Sequence, residues 1–214
     1  MTLQMYMKIA NKCLCIISFL LTLHPKIKCM GKETQLVFDR NTVEFVTVAV
    51  EFCAFLERSE QMKRASFVDT LLKILPLLYL KASMLPKVEN ATEGLEHFVT
   101  EEDYEVIRMT MASIMADRDD YLEVFMADMM YSETPIKASI SEDLADIYQD
   151  IKDFVSVYRI GLDETMYAAL AVCEENFALY WGQKLVNTLR ALHDVKYNVK
   201  EDEMADMDEM DGEV

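Results

Sequence analysis

Ser141-Glu-Asp-Leu-Ala-Asp-Ile-Tyr-Gln-Asp-Ile-Lys-Asp-Phe-Val-Ser-Val-Tyr-Arg-Ile-Gly161 is the stretch that decides how this chain folds. Leu144, Ile147, Tyr148, Ile151, Phe154, Val155 and Tyr158 fall at i, i+3, i+4, i+7, i+10, i+11 and i+14. That spacing draws one apolar face along a helix and suits no strand. Ser141 is placed to cap its start, and Gly161 lies where a left-handed residue ends a helix. Asp143, Asp146, Asp150 and Asp153 recur at i, i+3, i+7 and i+10 and are expected to form an opposite, exposed face. Stacked carboxylates repel by about 0.2–0.5 kcal/mol per neighbouring pair, so such a face wants water or a cation.

Outward from this segment the same period continues. Asp163 starts a pattern reaching about Asp194 through Met166, Leu170, Cys173, Phe177, Trp181, Leu185, Leu189 and Leu192. A helix of that length extends about 45 Å at about 1.5 Å per residue and is expected to be the spine of the fold, bent at Gly182. Upstream, Asn41 with Glu44 reads as a capping box for a helix to about Arg58. Ser66 to about Met84 forms another, with Pro76 inside it and a bend expected near Leu72. Thr100 with Asp103 opens a third, carrying Tyr104, Ile107, Met111, Ile114 and Met115. After Asp117-Arg-Asp-Asp120, Asp120 is expected to cap a short fourth helix with Leu122, Phe125, Met126 and Met129, Glu123 completing its box. Residues 131–135 read as a loop. The expectation is an all-α, single compact domain of five or six helices with a long C-terminal spine helix.

Composition agrees. Gly 5 and Pro 4 in 214 residues are too few for a fold of tight turns, and 52% apolar residues are too many for a disordered chain. The glycines, at 31, 94, 161, 182 and 212, are too scattered for a phosphate loop, dinucleotide fingerprint or nucleophile elbow. Cysteines at 13, 15, 29, 53 and 173 contain no Cys-x-x-Cys, and His24, His97 and His193 are isolated, so zinc, di-iron and disulfide frameworks lose their signatures.

The net charge of −17 divides into +4 over residues 1–30 and −21 over the rest. Lys8 and Lys12 before an apolar run at 13–23 resemble the start of a secretory signal, but His24-Pro-Lys-Ile-Lys-Cys29 offers no cleavage site. The run is also too short to span a bilayer. Three readings stand for residues 1–36: an upstream stretch preceding a true start at Met30, which the sequence favours; a signal or anchor; or a structured arm. Residues 37–196 form the helical domain. Residues 197–214 hold eight acids and are expected to be a solvated, disordered tail.

Three stretches carry a resemblance: 131–154, 175–193, and Leu71-Leu-Lys-Ile-Leu-Pro-Leu-Leu-Tyr-Leu-Lys81. Together they resemble a bacterial all-helical family described only as a domain of unknown function, over about residues 37–194. The resemblance implies a compact helical domain and supplies no catalytic residue.

For chemistry, Asp143, Asp146, Asp150 and Asp153 are the candidates for a divalent cation, because hard cations take oxygen ligands. They would serve a metal-dependent hydrolase built on the acidic helix 142–153. With 38 acids in 214 positions, about seven acid pairs at i, i+3 arise by chance, so the pattern weighs little. Methionines at 109, 111, 115, 126, 129 and 130 read as a loosely specified core or an adaptable binding groove. Tyr158-Arg159 and Tyr180-Trp181 could stack on a base, but the acidic domain argues against a nucleic-acid partner. Trp181 reads as a core anchor, and His193 as a favourable charge at a helix end. The expectation is a cytoplasmic, non-enzymatic protein-interaction module with no cofactor, no catalytic residue and a partner of basic surface. The alternatives are the hydrolase and an exported or membrane-tethered domain, the latter resting on residues 13–23.

Overall fold

The computed structural model describes residues 32–88, 97–123 and 136–198. Among them are α1 (Lys32–Val37), α2 (Arg40–Glu57), α3 (Arg64–Ala82), α4 (Glu101–Met115) and α5 (Ile140–Ile160). A final rod follows as α6 (Asp163–Asn176), a π-helical turn (Phe177–Trp181) and α7 (Gly182–Tyr197), run together without a break. Counting that rod once gives six helices among the described residues, an all-α architecture with the long C-terminal helix. The expectations for residues 1–31, 124–135 and 199–214 lie outside the described residues.

α5 occupies the middle, packed against α2, α4, α6 and α7, while α3 lies along α2 and α7. A helix with neighbours on several sides must bury most of its circumference. α5 does so: Leu144, Ile147, Ile151, Phe154 and Val157 are buried. Phe45 of α2 meets Phe154 and Trp181 with ring centroids 5.4 and 6.5 Å away, which joins three helices in one aromatic core.

Several helix starts differ from expectation by about one turn or less. Asp39, not Asn41, caps α2 by accepting from the Asn41 amide at 2.9 Å. Ser139 caps α5, because Ser141 is used elsewhere: its amide and hydroxyl donate to the two Asp119 oxygens at 2.8 and 2.6 Å. α3 is continuous through Pro76, so the expected bend does not divide it. Gly161 takes φ 79° and terminates α5 as expected.

The capping box of α4 forms as read, with Thr100 accepting from the Asp103 amide at 3.1 Å and Asp103 accepting from the Thr100 amide at 3.2 Å. Thr100→Ala is expected to cost about 1 kcal/mol in urea unfolding, the usual loss for a side-chain cap. A change below about 0.3 kcal/mol would show that water replaces the cap without penalty.

The short fourth helix is not formed where it was expected to start. Asp120–Leu122 is instead a strand, β1, paired antiparallel with β2 (Lys137–Ser139), Tyr121 opposite Ala138. Ala116, with φ 49°, closes α4 against Ala112, and a single 3-10 turn (Ala116–Arg118) then leads into the strand. The pairing then uses backbone groups that a local cap at Asp120 would have left for another turn.

Candidate functional site

The aspartates of α5 do not face solvent. Asp143 is buried at 3% exposure, and the side chains of Asp146 and Asp153 keep only 15% and 16%. At about 100° per residue, Asp143 projects within about 20° of Phe154, so the acids adjoin the apolar stripe rather than oppose it. Tertiary packing turns that border inward, against α4, α7 and the β1 strand.

Each carboxylate has partners from another element. Asp143 accepts from the Tyr121 hydroxyl, from Lys184 Nζ at 3.0 Å and from Thr188 Oγ1 at 3.3 Å. Asp146 accepts from Tyr104 at 2.8 Å, Tyr180 at 2.9 Å and Lys184 at 2.7 Å. Asp150 accepts from Asn176 Nδ2 at 2.6 Å. Asp153 accepts from the amides of Phe98 and Val99 at 2.7 and 2.9 Å and meets His97 Nδ1 at 2.9 Å. A buried carboxylate that is multiply hydrogen-bonded holds helices in register. Among the described residues no group of three or more His, Cys, Asp or Glu side chains is arranged to hold a metal ion.

The electrostatics follow from the same contacts. Burial raises the Tyr104 and Tyr121 hydroxyls above the ordinary phenol range, and donation to Asp146 and Asp143 raises them further. Tyr180 is pushed up to about 12 by burial and its bond to Asp146. Burial also raises Asp150. For Lys184, burial works to lower the pKa, but bonds to Asp146 and Asp143 outweigh it and hold the ammonium above its ordinary value. The phenols are therefore donors locked onto carboxylates, not bases awaiting a proton.

The sequence does not single out Lys184, Tyr121, Asn176 or Thr188, and it marks Tyr104 only as an apolar position of its helix, not as a donor to Asp146. Their partners lie 22 to 45 residues away, and nothing in one sequence pairs them. Lys184 and Tyr180 are aimed by the π turn, in which the Gly182 amide donates to Phe177 O. A β-carbon at Gly182 would stand 2.3 Å from that oxygen, so only glycine admits the turn. Trp181 is fully buried, the core anchor expected of it, though its indole N–H has no acceptor among the described residues.

Other candidates part company. Tyr158 donates to Val37 O at 2.8 Å, which binds α5 to α1 and removes it as a stacking platform. His193 lies against Tyr197, the ring centroids 4.6 Å apart and the planes tilted by 45°. Met111 and Met115 are core, whereas Met109 is exposed; Met126, Met129 and Met130 lie outside the described residues. Cys53 and Cys173 are buried free thiols, both raised by desolvation.

Residues 37–198 match the family described as Domain of unknown function (DUF5063). The chain belongs to this family. A DUF5063 relationship carries no named activity, and no curated protein matches the chain. Its fold resembles the crystal structure of a Bacteroides fragilis protein solved as a structural-genomics target, 64% identical, with a TM-score of 0.70. The match covers 78% of this chain and 99% of that one. No described helix of this DUF5063 chain is long and apolar enough to cross a membrane.

Proposed function

We propose that this DUF5063 domain is a non-enzymatic protein-interaction module of the cytoplasm that docks a partner of basic and apolar character. The carrying observation is the outward stripe of α4. Val106 and Met109 are 58% and 59% exposed on it, with Phe98 beside them and Glu101 and Glu102 at its acidic start. Large apolar side chains flanked by carboxylates suit a segment with apolar anchors and Lys or Arg between them. The stripe borders a cleft of about 360 Å³ between α2, α4 and α5, floored by Tyr148 and Ile107. This surface replaces the α5 acids as the proposed acidic face, since those are spent inside the fold.

The test is affinity capture from the organism that makes the protein, comparing the natural chain with a Val106→Lys, Met109→Lys double variant. Both positions are exposed, so the variant should keep its helical spectrum. The expected result is one dominant partner, depleted at least about tenfold in the variant, the effect of about 1.4 kcal/mol. Equal recovery with both chains would refute this surface.

A further inference from the structure

The surface of α3 has a character of its own. Leu77, Leu80 and Met84 lie at i, i+3 and i+7 and are 44%, 52% and 43% exposed, although Leu71, Leu75 and Leu78 on the other side are fully buried. Residues 63–88 carry five bases, Lys63, Arg64, Lys73, Lys81 and Lys87, against the single acid Asp69. Arg64 is paired with Asp117 and Lys81 with Glu44, which leaves Lys73 and Lys87 as the exposed bases nearest in sequence to this apolar face. Asp69 is also shared, accepting from both Lys73 and Lys196, so one carboxylate answers two ammonium groups.

Lys196 stands in the last turn of α7, two residues before Asn198. The sequence continues from this point, beside Lys73, with Glu201-Asp-Glu-Met-Ala-Asp-Met-Asp-Glu-Met-Asp-Gly-Glu-Val214. Eight acids surround Met204, Met207 and Met210, three residues apart. From Lys73 to Met84 the face runs about 16 Å at about 1.5 Å per residue. Sixteen residues follow Asn198 and reach about 50 Å at about 3.3 Å each, so length sets no obstacle.

We propose that the C-terminal segment 201–214 docks on the exposed face of α3. Its methionines cover Leu77, Leu80 and Met84, and its carboxylates meet Lys73 and Lys87. Methionine suits an irregular surface of this kind. The contact is intramolecular, so linkage supplies a high effective concentration and a weak pairing suffices. Charge argues against a second copy as occupant, because two α3 faces would bring like charges together. It also argues against an anionic lipid surface, which the acidic remainder of the chain repels.

Zero-length carbodiimide cross-linking of the full chain, read by peptide mass spectrometry, tests this. Lys73 and Lys137 have similar exposure, 65% and 73%, so Lys137 serves as the internal reference. Links from the carboxylates of 201–214 should fall on Lys73 and Lys87 at least about fivefold more often than on Lys137, the bias that a preference of about 1 kcal/mol produces. They should fall by a similar factor in a Met204→Ser, Met207→Ser, Met210→Ser variant. Raising salt from about 0.1 to 1 M, which shortens the Debye length from about 10 to 3 Å, should weaken them further. Even labelling of Lys137, or links indifferent to the methionines, would overturn the proposal. So would links joining isotopically heavy and light chains, which would point to a second copy. Binding of the full chain to phosphatidylglycerol vesicles that Leu80→Glu abolishes would overturn it in favour of a membrane.

Discussion

Gly182→Ala is expected to lower the unfolding free energy by about 3 kcal/mol, even after alanine's advantage of about 1 kcal/mol in an ordinary helix. The added carbon meets Phe177 O at 2.3 Å and the Phe177 ring at 2.9 Å. The first is backbone and cannot swing aside. The π turn must therefore open or revert to α geometry, and reversion rotates Trp181 relative to Phe45 and Phe177. Trp181 is the single tryptophan of the chain, so its fluorescence reads this site alone. Urea unfolding should show a lower midpoint with an unchanged slope, and native emission should move to the red. Gly161→Ala provides the contrast. Its φ of 79° strains alanine, but nothing lies within 4 Å, so about 1 kcal/mol is expected there. Equal costs at the two glycines would mean that the π turn is not a constraint.

Lys184→Met should cost about 2–3 kcal/mol at neutral pH, less than the 3–5 kcal/mol of breaking a fully buried pair, because Lys184 keeps 27% of its side chain in water. The loss arises from Asp143 and Asp146, left close together inside the fold without the ammonium that serves both. Adding Asp143→Asn to Lys184→Met should recover part of the stability by removing one uncompensated charge, a coupling that a double-mutant cycle measures.

The pH dependence follows from the raised folded-state pKa of Lys184. Such a group contributes fully below its unfolded value of about 10.4 and loses its contribution as pH rises through the folded value. The gap between natural chain and variant should stay flat from about pH 6 to 9 and close only in strong alkali or where acid neutralises the carboxylates. A gap that halves between pH 6 and 9 would show that Lys184 is not the partner of these acids.

The heptad-like spacing of 144–158, the Thr100–Asp103 box and Gly161 were legible in the sequence because each works within one or two turns of its own helix. Local periodicity and capping depend on neighbours in the chain, and composition excluded glycine-loop chemistry for the same reason: it needs particular residues close together. The π turn was half legible. Gly182 marked a break in the long pattern, but not that the break widens one turn and aims Tyr180 and Lys184 at α5.

The fate of the aspartates was decided only by tertiary structure. Their period was read correctly and their direction was not, because a helix wheel tells which residues share a side but not how many neighbours the helix acquires. α5 is packed on four helices, so its polar border is buried and must be satisfied by Tyr104, Tyr121, Lys184 and Thr188, drawn from distant segments. The strand at Asp120–Leu122 has the same origin, since backbone pairing with 137–139 outweighed a local cap. Sequence determined the helices and where most of them end; packing determined which acids face water, because burial is a property of the surroundings and not of the segment.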